Sequence, residues 1–157
     1  MKIIFCSIGK AHEEYVKQGI DDFTKRINNY FNADWLLIPS VKNAASLPEK
    51  ELKREEAKQV ISVLQPEDIL ILLDERGKQI TSPQLAQLIQ QKANESARRI
   101  VFLIGGAFGV DETVFKRANH TLSLSLLVFP HMLVRLIIVE QVYRACTILR
   151  NEKYHHI

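Results

Sequence analysis

The chain has 157 residues, 46% apolar and 25% charged, with a net charge of +3 from 21 basic and 18 acidic side chains. That is the composition of an ordinary soluble globular protein, and a chain this long buries roughly 70% of its unfolded surface without staples. A single domain spanning residues 1–157 is therefore expected, and the mild positive charge is compatible with a nucleic-acid partner without requiring one.

Lys2 to Ile8 reads as a strand ended by Gly9, and nothing in it resembles a signal peptide. From His12 to Tyr30, apolar residues at Val16, Ile20, Phe23, Ile27 and Tyr30 fall in a 4-3-4-3 rhythm that marks one face of a helix. Asp34 to Ile38 is a second strand stopped by Pro39, and Ser40 to Pro48 is a loop. Glu49 to Leu64 reads as a charged helix, with Ala57, Val60, Ile61 and Leu64 on its buried side and a Glu49–Lys53 pair opposite. Asp68 to Leu73 is a third strand, closed by the polar run Asp74-Glu75-Arg76-Gly77-Lys78. Ser82 is the expected N-cap of a helix with Pro83 at its first position and a stripe of Leu85, Leu88 and Ile89.

Ile100 to Ile104 is apolar without alternation, as in a strand covered on both faces. Gly105, Gly106 and Gly109 follow at once, where the absence of a Cβ lets main-chain groups approach a ligand. Asp111 is the expected cap of a short helix carrying Val114, Phe115 and Ala118, and Thr121 to Ser125 is the next strand. After Pro130 a helix runs from His131 to Arg150 and is apolar nearly all round, so it must be buried on more than one side. In so small a chain, one of those sides is expected to meet a second copy. Arg135 and Glu140 interrupt the helix and exclude a membrane span. Cys6 and Cys146 sit in apolar settings and read as buried thiols of a cytosolic protein.

Alternating strands and helices predict a parallel sheet with helices on both faces, whose ligands bind beyond the strand C-termini. Three such ends are chemically suggestive: Leu73 to Gly77, Ile104 to Gly109 and Ser123 to Pro130. The dinucleotide fingerprint, the P-loop and the nucleophile elbow are all missing. His131, His155 and His156 lack a carboxylate or cysteine at ligand spacing, so no metal site is expected. On the residues alone no reaction type is singled out, and a flavodoxin-like nucleotide binder and a non-catalytic ribosome-associated RNA-binding module remain open.

The motif I-G-G-x-x-G, then L-S-x-S, then P-H-x-x-x-R-x-x-x-x-E-Q-x-Y-R-A and a terminal Y-H closely resembles the RlmH family of SPOUT-class methyltransferases. The likeness runs from the opening K-I-I-F-C-S-I-G-K to that terminal Y-H. The resemblance implies an α/β SPOUT fold with a C-terminal trefoil knot, which physical reasoning alone would not suggest. It also implies a cytoplasmic homodimer that uses S-adenosylmethionine to methylate N3 of a pseudouridine in 23S ribosomal RNA on the ribosome, with no membrane or DNA partner. The cofactor positions it implies are Leu73, Gly105, Leu124, Ser125, Leu126, Leu127, Val128 and Phe129. Val128 departs from the family, which often has threonine just before the Pro-His corner. The catalytic group implied is His131, Arg135, Tyr154 and His155, with RNA contacts from Arg144, Lys153, Tyr154, His155 and His156. Among the histidines His131, His155 and His156, the sequence does not choose a general base.

Overall fold

The computed structural model describes residues 1–156. Its centre is a five-stranded, all-parallel sheet in the order β2-β1-β4-β3-β5, formed by β1 (Lys2–Ile8), β2 (Asn32–Ile38), β3 (Ile69–Lys78), β4 (Arg99–Ile104) and β5 (His120–Leu122). The apolar runs of β1 and β4 occupy neighbouring interior positions, with β4 at the centre, where both faces are covered. One face packs Ile3, Phe5, Ile100 and Phe102 against α1 (Glu14–Ile27), α3 (Ser82–Asn94) and α5 (His131–Leu149). The other packs Ile4, Cys6, Leu70, Leu72, Val101 and Leu103 against α2 (Glu49–Val63) and α4 (Glu112–Arg117). Both cysteines are free and buried, and burial pushes each thiol up to about 12.

Several sequence expectations shift in detail. The α1 stripe holds, with Val16, Ile20 and Ile27 buried, but the helix spans fewer residues than its apolar rhythm. Thr81, not Ser82, caps α3: its hydroxyl accepts from the Gln84 amide while the Gln84 side chain accepts from the Thr81 amide, a capping box that puts Pro83 at the second helical position. Asp111 does cap α4, accepting from the Thr113 amide at 3.1 Å. Ile61 is 42% exposed, because only the narrow Ala57–Val60 side of α2 reaches the sheet. No Glu49–Lys53 ion pair forms among the described residues; Lys58 pairs with Glu55 instead.

The third strand does not stop at Leu73. It runs through the polar segment to Lys78, bulging so that both Leu73 and Lys78 pair with Leu122. There the two backbones nearly touch: a Cβ on Gly77 would lie 2.6 Å from the Leu122 carbonyl carbon, so only glycine fits. β5 correspondingly ends at Leu122 rather than Ser125, and Ser123 to Pro130 forms a loop leading into α5. The Ser123 amide donates to the Lys78 carbonyl at 3.0 Å, fixing the start of that loop.

Candidate functional site

A cavity of about 860 Å³ opens beyond the C-terminal ends of β3, β4 and β5, where open parallel sheets place their ligands. Three segments form its walls: Leu73 to Arg76, Ile104 to Val110, and Ser123 to Phe129, with His131 and Val134 from the first turn of α5. The middle wall is a tight turn in which the Gly109 amide donates to the Gly106 carbonyl at 3.1 Å, and Gly109 adopts φ +81°, open to glycine at little cost. A Cβ on Gly105 would approach Val110 Cγ1 to 2.8 Å, so this cavity-lining position has no room for a side chain. The third wall is held from within by Ser123 Oγ donating to the Ser125 carbonyl and by the Leu127 amide donating to Ser125 Oγ. Leu126 and Val128 are 88% and 85% exposed, an unusual state for such side chains and one that leaves an apolar rim beside the opening.

All eight positions expected to hold a cofactor, Leu73, Gly105 and Leu124 through Phe129, line this one cavity, and His131 joins them. Arg135 does not. Its guanidinium is turned beneath the β1–α1 connection, where Nε donates to Ser7 Oγ at 3.1 Å and Nη1 to the Lys10 carbonyl at 3.0 Å, with His12 Nδ1 at 3.2 Å. Arg135 is 1% exposed and no carboxylate pairs with it among the described residues, so three neutral groups carry its charge. Burial and then the Arg135 charge lower the His12 and His131 pKa values below 6.5, and burial followed by Lys92 does the same for His120. Each histidine is therefore held neutral in the fold.

That has a pH consequence with a definite sign. A histidine whose folded pKa is depressed contributes stability that is present above its unfolded pKa and lost as pH falls through the folded value. The chain is expected to lose stability as pH drops from 7 towards 5, with all three histidines pulling in the same direction. Urea midpoints across that range provide the check, and a midpoint that rises on acidification would contradict it.

Tyr154, Lys153, His155, His156 and Arg144 do not reach the cavity of their own chain. The tail folds back on α5: Tyr154 donates to Glu140 Oε1 at 3.0 Å, stacks edgewise on Tyr143 and lies under the Arg144 guanidinium. Arg144 also donates to Glu140 at 2.5 Å. Burial and the Glu140 hydrogen bond raise the Tyr154 phenol, so it stays a donor. Glu140 lies nine residues along α5 from His131, about 14 Å at the helical rise. Sequence reasoning missed Lys53, Asp74, Arg76 and Phe108 as lining residues. Asp74 and Arg76 were within reach, since they directly follow a strand end already singled out. Burial works to raise Asp74, but hydrogen bonds from Arg76, the closest at 2.9 Å, hold it below the ordinary carboxylate value. Lys53 stands in a helix so polar that no position in it is distinguished.

A parallel sheet with one large cleft of glycine backbone and apolar loops at its strand C-termini defines a small-molecule-binding α/β protein. The family described as predicted SPOUT methyltransferases matches residues 1–155. Ribosomal RNA large subunit methyltransferase H of Cytophaga hutchinsonii is 46% identical over 156 residues, 99% of this chain and 100% of the relative. Its counterpart in Flavobacterium johnsoniae is 44% identical over 99% of each chain. The crystal structure of a probable methyltransferase from Bordetella pertussis Tohama I superposes with a TM-score of 0.58 at 11% identity, over 92% of this chain and 93% of that one, a likeness of fold. This chain belongs to the SPOUT methyltransferases and, within them, to the ribosomal RNA large subunit methyltransferase H family.

Proposed function

We propose that this chain transfers the methyl group of S-adenosylmethionine to N3 of a pseudouridine in 23S ribosomal RNA, working as a cytoplasmic homodimer on the assembled ribosome. The observation that carries the proposal is the convergence of Leu73, Gly105 and the 124–129 loop on one cavity in a chain whose full-length relatives are ribosomal RNA methyltransferases. The donor fits the cavity by chemistry as well as size. The side-chain-free main chain at Gly105, which lines the cavity, suits the hydrogen-bonding edge of an adenine, and the apolar rim suits its faces. No His, Cys, Asp or Glu cluster able to hold a metal occurs among the described residues. When bound, the donor supplies an activated methyl on a sulfonium centre, which leaves binding, orientation and proton handling to the protein.

His131 lines the cavity and is held neutral by burial and by Arg135. A neutral imidazole is suited to receive the proton that N3 must lose. Arg135 serves this reading indirectly, by tuning His131 rather than touching the reacting atoms. The tail residues Lys153, Tyr154, His155 and His156, with Arg144, are the RNA-facing group: a stacking face, hydrogen-bonding rings and cations. Leu133, Leu136 and Ile137 on α5 stay only half-buried, which supports a two-fold contact along that helix. A knotted C-terminal section goes with this family reading.

A Gly105→Val substitution tests the donor assignment. The branched side chain would collide with Val110 and fill the main-chain wall. Isothermal titration of the wild type is expected to show binding of S-adenosylmethionine and S-adenosylhomocysteine but not of FMN or ATP. Gly105→Val should weaken the first two by tenfold or more, roughly 1.4 kcal/mol. Unchanged titration curves would overturn the assignment.

A further inference from the structure

Glu56 lies midway along α2 and is only 9% exposed. Its carboxylate occupies the space in which a side chain on Gly106 would stand: a Cβ there would meet Oε2 at 2.5 Å and Oε1 at 2.8 Å. Gly106 does not need to be glycine for its backbone angles, since among glycines only Gly9 and Gly109 have positive φ. The requirement at position 106 is therefore room for the carboxylate. Gly106 also lines the cavity, so Glu56 is separated from it by one strand of main chain without a side chain.

Among the described residues, no hydrogen-bond donor or cation pairs with this carboxylate. Lys53 stands one turn earlier on α2, yet its field is felt by Asp74 and Asp111, and Arg54 acts on Asp111. Arg76 is engaged by Asp74 at 2.9 Å. Glu56 itself is raised by burial alone, with no hydrogen bond or cation opposing it. A largely buried carboxylate without a partner is costly unless a cation comes near it, and the neighbour standing against its oxygens is the cavity-lining Gly106.

We propose that Glu56 is a charge-selecting positioning residue for the cavity, whose carboxylate behind Gly106 favours a sulfonium cation over the neutral thioether left after methyl transfer. The inference rests on the donor reading above. In that reaction the C–S bond breaks with its electron pair remaining on sulfur, the methyl carbon bonds to N3, and the N3 proton passes to a base. The ligand thereby loses one positive charge while keeping the rest of its structure. A fixed negative charge in a poorly screened wall distinguishes those two states, holding the donor and releasing the product.

Glu56→Gln keeps the shape and removes the charge. Titration at pH 8 is expected to show about tenfold weaker binding of S-adenosylmethionine, with S-adenosylhomocysteine unchanged within twofold. Equal weakening of both ligands, the signature of a merely structural role, would overturn the inference, as would no change in either. Glu56→Asp retains the charge and guards against a folding defect in the glutamine variant. It should keep the wild-type preference for the sulfonium, and a preference lost despite the retained carboxylate would also count against the inference. A wild type that bound neither ligand would fail in a different way, by removing the donor reading itself.

Discussion

Deleting residues 154–157 is expected to reduce methyl transfer to ribosomes by at least a hundredfold while leaving S-adenosylmethionine binding within twofold of wild type. Tyr154 offers an aromatic face, and stacking of this kind is worth about 1–3 kcal/mol per base. His155 Nδ1 has no hydrogen-bond partner among the described residues, and the Tyr154–Glu140 bond that the deletion removes lies on α5 away from the cavity. The tail lines no part of the cavity, so donor affinity has no reason to change. Incorporation of tritiated methyl into ribosomes from a strain lacking the activity is the assay. Because tail and cavity lie apart along α5 of one chain, mixing tail-deleted protein with Gly105→Val protein should restore transfer through mixed dimers. Full activity of the truncated protein alone would exclude the tail from the site.

Arg135→Ala should be the most destabilising single substitution of the site region, by roughly 3–5 kcal/mol. It empties a volume in which the side chain is 1% exposed and strands the Ser7 hydroxyl and the Lys10 carbonyl that it now satisfies. It also removes a positive charge beside two histidines. The His12 and His131 pKa values should both rise towards 6.5, observable by NMR titration. Arg135→Met keeps the apolar stem and should lose less stability while raising the same two values. A wild-type urea midpoint in the alanine variant would show that the β1–α1 connection does not depend on this anchor.

The parts of the fold that sequence patterning could reach were those governed by burial on both sides. The runs at Lys2–Ile8 and Arg99–Ile104 became neighbouring interior strands because, apart from Lys2, Ser7 and Arg99, their side chains are apolar. The end of β3 was illegible for the opposite reason. Asp74 through Lys78 has loop composition, and only the tertiary approach of Leu122 draws it into the sheet. At the cap of α3 the signal was present but sat one residue earlier, in Thr81 with Gln84 three positions on. The cavity walls followed from strand ends and from the family motif. Arg135 shares a helix face with His131, yet its long stem carries the guanidinium to a different neighbour, and helical spacing does not specify where such a stem ends. Glu56 was hidden among seven other charged residues of α2, distinguishable only once Gly106 is seen against it.

The contact between Gly77 and the Leu122 backbone has a consequence in time as well as in space. Two of the three cavity walls branch from this one crossing, which joins segments remote in the chain. Loop closure over such a distance is paid before any compensating contact forms, and topologies of this kind fold slowly. α5 begins only after the loop that follows this pairing, and its docking between α1 and α3 is expected to come late in assembly. Recovery of donor binding during refolding should trail the recovery of helical circular dichroism, and the gap between them should widen when Gly77 is replaced by alanine.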